Sequence, residues 1–197
     1  MGKGAQTREV IIERAARLFN EQGYFAASLA DIMRVTGLEK GGIYNHFGSK
    51  EQLALEAFDY SIELVNQRLR QAVRSNPNTL DRLVAIVESF GVSAYDPLLP
   101  GGCPILNTII KAGDSQPALK ARAEVALERF FDSLRYTMRL GIERGEMRPD
   151  AEIQKLASLI VAALEGAIMV SQVYKDPSHM FAVIEFLKNH LEQSLRP

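Results

Sequence analysis

Apolar residues recur along nearly the whole chain at spacings of three and four, and no stretch alternates apolar and polar positions as a strand would. The pattern predicts an all-α protein of about nine helices. From Thr7 to Gln22, Ile11, Ala15, Leu18 and Phe19 share one face, and Gly23 supplies a stop. Ser28, with Asp31 three residues on, caps a short second helix that turns Leu29, Ile32 and Val35 inward and ends at Gly37. A third short helix runs over about 39–46 and breaks at Gly48. Ser49 and Gln52 form a capping box for a fourth, reaching about Ser75. A fifth occupies about 80–95. After the irregular run "DPLLPGG", Pro104 suits the first position of a sixth helix, which makes Cys103 its N-cap and Gly113 its end. The seventh covers about 117–144, and Asp150 starts an eighth. In the ninth, to about Leu195, Asp176 is the cap and Pro177 the first helical residue.

Composition narrows the class without changing this picture. The 197 residues are 47% hydrophobic and 24% charged, enough to bury a real core. The net charge of −1 excludes a uniformly basic nucleic-acid binder. The balance is uneven, however: through Lys50, seven Lys and Arg face five Asp and Glu, and the remainder holds 16 against 19. The single cysteine excludes an intrachain disulfide framework and suits a reducing, cytoplasmic setting. Between Lys155 and Lys175 the one charged residue is Glu165, so the segment has the length of a membrane span. A carboxylate at mid-bilayer is unfavourable, and a helix buried on most of its circumference explains the run better.

Chemistry concentrates in "VTGLEKGGIYNHFGSKEQL", residues 35–53. Two short helices joined by "TGL" have helix-turn-helix geometry, with Gly37 as the left-handed residue of the turn. Ile43 and Phe47, four apart, would face back onto Ile32 and Leu18. The opposite side of the third helix then projects Lys40, Gly41, Gly42, Tyr44, Asn45 and His46. That set makes sense against a close polyanion. Glycines let backbone approach, Lys40 and Lys50 neutralise phosphate, Tyr44 and His46 reach phosphate oxygens, and Asn45 suits a base edge. The alternative is a structural hairpin with a solvated polar face.

The continuous stretch "TREVIIERAARLFNEQGYFAASLADIMRVTGLEKGGIYNHFGSKEQL", Thr7 to Leu53, resembles the N-terminal domain of the TetR family of bacterial transcriptional repressors. The resemblance implies a helix-turn-helix DNA-binding domain over 1–48 and a larger helical effector-binding and dimerisation domain over 49–197. It also implies a homodimer on an inverted-repeat operator in double-stranded DNA. Carried over residue by residue, Ser28 would cap the second helix and touch phosphate. Lys40, Tyr44, His46 and Lys50 would contact the backbone, and Gly41, Gly42 and Asn45 would lie nearest the bases. Three positions depart from the family pattern: Met33 where a small residue is usual, Glu39 where serine or threonine is common, and Gly42 in place of a threonine.

In such repressors the last two helices of each subunit pair into a four-helix bundle. Here the eighth helix offers Ile153, Leu156, Ile160, Leu164, Ala167 and Ile168, and the ninth Ile184, Leu187 and Leu191. The alternative is that these stripes serve only the chain's own core. The resemblance also implies a small-molecule effector. Phe58 and Ile62, Phe90 and Tyr95, and Leu106 and Asn107 are candidate walls, with Phe130, Leu134 and Met169 on the deeper side. Each also reads as core. The mostly aliphatic and aromatic set suggests an apolar ligand anchored by Asn107 or Tyr95. Cys103, at a helix N-terminus, has either a thiolate-favouring position or a space-filling one. Some regulators with a Gly-Cys pair in this loop sense electrophiles or oxidants.

No catalytic nucleophile–base pair, phosphate-cradling loop or metal-ligand spacing stands out, so neither an enzyme nor a metal or cofactor is expected. The expected function is a cytoplasmic ligand-responsive repressor with no membrane partner. The alternatives are a related DNA-binding regulator without small-molecule response and a thiol sensor acting through Cys103.

Overall fold

The computed structural model describes residues 2–95, 97–112 and 116–197, without the side chains of Lys3, Ser93, Ala94 and Tyr95. The expected stop at Gly113 and the Tyr95 side chain as a pocket wall lie outside the described residues. Among these there are nine α-helices and no strand. They are α1 (Lys3–Gln22), α2 (Leu29–Thr36), α3 (Lys40–Tyr44), α4 (Lys50–Arg74) and α5 (Thr79–Tyr95). After them come α6 (Pro104–Ala112), α7 (Pro117–Glu143), α8 (Ile153–Tyr174) and α9 (Ser178–Leu195).

Three helix starts differ from expectation, each for a local reason. α1 begins at Lys3 rather than Thr7, because Ala5 and Gln6 favour helix and nothing interrupts them. α8 begins at Ile153, since Asp150 is engaged by the Arg148 guanidinium at 2.5 and 2.6 Å instead of capping. In α9 the order is shifted by one: Pro177 is the N-cap, and the Asp176 carboxylate accepts from the Ser178 N–H at 2.9 Å.

The chain divides into two compact units, Met1–Leu64 with Leu99–Ala126, and Val65–Leu98 with Leu127–Pro197. The first therefore contains residues 1–48 together with the start of α4, all of α6 and the first part of α7. Ile11, Ala15, Leu18, Ile32, Ile43, Phe47 and Leu53 are each at most 4% exposed within it. A second cluster of this unit gathers Ala54, Phe58, Ala112, Leu119 and Ala123.

The other unit is built on α5, α8 and α9, with Leu83, Val87, Leu134, Met138, Ile160, Leu164, Leu191 and Leu195 in one core. Gly141 near the end of α7 sits where a Cβ would fall 2.5 Å from the Thr79 hydroxyl and 2.6 Å from the Met147 sulfur. Glu146, just beyond α7, closes the first turn of α5. It accepts from the Thr79 N–H at 2.7 Å and from its hydroxyl at 2.6 Å, and these bonds hold its carboxyl below the usual range. Among the described residues α8 is the one helix long and apolar enough to cross a membrane, with a mean hydropathy of 1.8. Its Leu156, Ala157, Ile160, Leu164 and Ala167 are buried in this unit's core.

Candidate functional site

The helix-turn-helix is fixed by its own ends. Ser28 and Asp31 form a reciprocal capping box at the start of α2. Gly37 ends α2 in the left-handed region at φ +70, and its N–H returns to the Met33 carbonyl at 2.8 Å. Arg14 of α1 donates to the carbonyls of Val35 at 2.9 Å and Thr36 at 3.1 Å, placing a cation on the negative end of α2. Its charge is thus spent inside the domain. Much of the rest of the basic surplus is similarly committed: Arg17 to Glu13, Arg34 to Asp31 and Arg8 to Glu56.

The residues nominated for DNA contact occupy different situations. On and just after α3, Lys40, Gly41 and Asn45 are exposed, and Gly42, Tyr44 and His46 half-buried, while Ile43 and Phe47 are buried at 2% and 1% exposure. The Lys40 ammonium lies 6.0 Å from the Tyr44 ring centroid, so cation and phenol occupy one patch. Ser28 is exposed, yet both its donors are taken: its N–H and hydroxyl go to the Asp31 carboxylate at 3.0 and 2.6 Å. That carboxylate, held down to about 2 first by the Ser28 hydroxyl and then by Arg34, puts a negative charge beside the position expected to touch phosphate. Glu39 is the N-cap of α3 and makes no side-chain cap hydrogen bond.

Gly41 is the informative residue. A Cβ there would meet nothing within 4 Å, and at Gly42 it would make ordinary contact with Leu38 at 3.6 Å. Packing within the chain does not require either glycine, although glycine weakens a helix by about 0.5–1 kcal/mol relative to alanine. Exposed Gly41 leaves the outward backbone of this five-residue helix bare to whatever approaches from outside, and Gly42 beside it adds no side chain.

The start of α4 is tied to this domain at several points. The Ser49 hydroxyl oxygen caps it by accepting from the Gln52 N–H at 3.0 Å, and the Gln52 side-chain Oε1 accepts from the Gly48 N–H at 2.9 Å, one residue earlier than an ordinary capping box. Arg8 pairs with Glu56 and lies 4.8 Å over the Phe47 ring. Lys50, expected on phosphate, is half-buried. It donates to the Tyr24 carbonyl at 2.7 Å, its ammonium sits 4.3 Å from the Tyr24 ring, and burial lowers its pKa.

The residues nominated for an effector pocket divide between the two units. Phe58 and Asn107 border a cavity of about 40 Å³ in the first unit, lined also by Phe19, Tyr24, Ser61 and Leu119. Small-molecule sites run to several hundred Å³, so this cavity does not hold such a ligand as it stands. Ile62 packs on the same unit's second cluster, and Leu106 and Cys103 are half-buried. Phe90 and Phe130 pack against the core of the second unit with their ring centroids 5.9 Å apart and their planes tilted by 33°, and Leu134 is fully buried there. Met169, expected on the pocket's deeper side, is 57% exposed.

Asn107 serves α1 instead of standing free as an anchor. Its amide donates to the Gly101 carbonyl at 2.5 Å and the Asn20 carbonyl at 3.3 Å. Asn20, only 6% exposed, donates to the Pro100 and Gly102 carbonyls at 2.6 and 2.9 Å. Lys111 caps the end of α1 through the Asn20 and Glu21 carbonyls, both at 3.0 Å. Gly101, at φ +88, has no room for a side chain, because a Cβ would lie 2.8 Å from the Asn20 oxygen. Sequence reasoning missed Asn20, Gly101, Lys111 and Arg14. Only the polar Asn20 beside an apolar stripe hinted at them.

Two family models match the chain: bacterial regulatory proteins of the tetR family over residues 11–57, and the tetracyclin repressor-like C-terminal domain over residues 79–187. The chain belongs to the TetR family. It is a DNA-binding transcriptional regulator of that family. A TetR transcriptional regulator from Chloroflexus aurantiacus has a similar structure at a TM-score of 0.95 and 41% identity, covering 100% of this chain and 99% of that one. An uncharacterized HTH-type transcriptional regulator of Mycobacterium tuberculosis is 30% identical over 93% of each chain. The TetR family regulator CifR, in complex with a 26-base-pair operator, shares the fold at a TM-score of 0.83 and 20% identity, over 92% and 94% of the two chains.

In this TetR-family chain the apolar positions offered for dimerisation go mainly to its own core. Leu156, Ile160, Leu164, Ala167, Ile184, Leu187 and Leu191 are buried there at 8% exposure or less, and Ile153 and Ile168 pack against them. A different stripe of α8 faces outward: Leu159, Ala162, Gly166, Met169 and Val173, spaced three and four apart. A Cβ at Gly166 would meet nothing within 4 Å. On α9, Phe186 is 65% exposed. Because α8 is apolar nearly all round, periodicity alone did not separate the inner stripe from the outer one.

Proposed function

We propose that this protein is a homodimeric repressor that occupies an inverted-repeat operator through α3 and leaves it when a small, mostly apolar effector binds. The observation that carries the DNA-binding surface is the bare outward backbone at Gly41, with half-buried Gly42 beside it, flanked by Lys40, Tyr44, Asn45 and His46. Lys40, Tyr44 and His46 take backbone phosphates, and Asn45 reads a base edge. The fold shared with operator-bound CifR supports this docking. The outward stripe of α8, with small Ala162 and Gly166 at its centre, supports a partner helix packed closely on it. A two-fold dimer then holds two copies of α3 at a set distance, so a modest change in their separation breaks simultaneous contact with both half-sites. Since α4 begins beside the recognition helix and contributes to both units, it is the element through which effector binding acts. These roles place the protein in the cytoplasm.

Selection of binding sites from random duplexes tests the reading. The wild type enriches an inverted repeat, and Lys40→Ala and Tyr44→Ala bind the same repeat more weakly. A wild type that enriches no repeat sinks it. An operator complex that dissociates with no member of an apolar compound library, but does so with an electrophile in wild type and not in Cys103→Ser, favours the thiol-sensing alternative instead.

A further inference from the structure

The last turn of α1 is held from a distant segment of the same compact unit. Gly23 returns its N–H to the Phe19 carbonyl at 2.8 Å, but the carbonyls of Asn20 and Glu21 both accept from the Lys111 ammonium of α6 at 3.0 Å. The Lys111 stem packs so closely on Gly23 that a Cβ there would lie 3.0 Å from its Cδ. Asn20 completes the grip. Three consecutive carbonyls of the loop before α6 take side-chain amides: Pro100 and Gly102 from Asn20 at 2.6 and 2.9 Å, and Gly101 between them from Asn107 at 2.5 Å. The loop presents them this way because Gly101 and Gly102 sit at φ +88 and +90, a region that side chains rarely adopt. Asn20 is 6% exposed, and removing its amide leaves the Pro100 and Gly102 carbonyls without that donor.

What grips α1 also steers the recognition helix. α1 packs along α2, its Arg14 holds the carbonyls at the end of α2, and its Arg8 covers Phe47 just after α3. The turn from α3 into α4 ties this domain at one end, and the grip on the last turn of α1 ties it at a second point. Two separate ties fix an angle that one leaves free. We propose that Asn20 is a positioning residue that determines which half-site spacing the protein accepts. By holding the 100–102 loop against α1, it fixes the angle of residues 1–48 and so the separation of the two copies of α3 in the dimer. The proposal rests on a homodimer binding an inverted repeat.

The test measures dissociation constants at one fixed salt concentration, well below each protein's Tm. The duplexes are the selected inverted repeat and two others with the spacer shortened or lengthened by one base pair. Such a change moves the half-sites by about 3.4 Å and turns them by about a tenth of a helical turn. Wild type is expected to lose about tenfold or more on both altered repeats, because both copies of α3 must engage together. Asn20→Ala removes the amide, and Gly101→Ala wedges the loop with a Cβ that would fall 2.8 Å from the Asn20 oxygen. Each should bind the selected repeat about tenfold more weakly yet distinguish the three spacers by about threefold or less, since a loosened domain is no longer preorganised for one of them. Gly145→Ala adds a side chain at φ +68 with nothing within 4 Å and keeps the wild-type ratios. Lys40→Ala weakens all three repeats by one common factor. If Asn20→Ala and Gly101→Ala also weaken all three by one factor, or bind as wild type with only a lower Tm, the proposal is overturned. Equal relaxation in Gly145→Ala traces the effect to backbone strain and overturns it too. A wild type that binds the repeat equally at all three spacings overturns it while leaving the operator reading in place. A wild type that binds no inverted repeat defeats the operator reading itself, and the proposal falls with it.

Discussion

Replacing Gly41 by alanine separates what this residue does for the fold from what it does for binding. A Cβ at this position meets no atom of the chain within 4 Å, so the methyl fits without strain. Alanine is favoured over glycine in helices by about 0.5–1 kcal/mol, with the lower end fitting the first turn of a short helix. For a chain of this size, each kcal/mol moves Tm by about 2–4 °C, so the variant should melt about 1–2 °C higher. In the proposed docking the same methyl faces the groove. Lifting α3 by about 1 Å stretches a hydrogen bond from about 2.9 Å beyond the useful range. Losing one base contact in each half-site costs about 1–3 kcal/mol per site. Across the proposed dimer the penalty is about 2–6 kcal/mol, or about 30-fold to 10⁴-fold in Kd. Differential scanning calorimetry and fluorescence anisotropy with a labelled operator, both at one fixed salt concentration, measure the two effects. A variant that melts higher and binds the operator within twofold of wild type would show that the α3 backbone does not approach DNA at Gly41.

Four further expectations concern other parts of the molecule. Glu39→Ser should supply the missing cap of α3, worth about 1 kcal/mol, and remove a negative charge beside the phosphates; tighter operator binding with a higher Tm is the expected pair of results. Asp31 has its pKa depressed from 3.8 to about 2 in the folded chain, so its contribution to stability is present above about pH 4 and is lost as pH falls toward 2. Urea midpoints at pH 5 and pH 2.5 should therefore differ less in Asp31→Asn than in wild type. Gly141→Ala pushes a methyl into buried Thr79 and Met147 and should destabilise the fold by about 1–3 kcal/mol, read as a lower urea midpoint at an unchanged slope. Met169→Glu places a charge on the outward stripe of α8 and should yield monomers in sedimentation velocity with an unchanged circular dichroism spectrum, whereas an intact dimer would move the interface elsewhere.

The number, order and type of helices were legible in the chain, because helical periodicity and the Ser28, Gly37 and Ser49 signals act over a few residues and depend on little else. The outward chemistry of α3 was legible for the same reason: burying Ile43 and Phe47 on a short helix dictates where Lys40, Gly41 and Asn45 point. The sequence by itself thus determined an all-α regulator with a helix-turn-helix at its front. Tertiary structure alone decided which side chains spend their charge and hydrogen bonds inside. Lys50 meets the Tyr24 carbonyl 26 positions away, and Asn20 meets Gly102 across 82. No local pattern encodes such pairings, since they arise only when distant segments pack. The same holds for α8, whose inner and outer stripes are both apolar. Only the docking of α9 and α5 on one of them leaves Leu159, Met169 and Val173 facing outward.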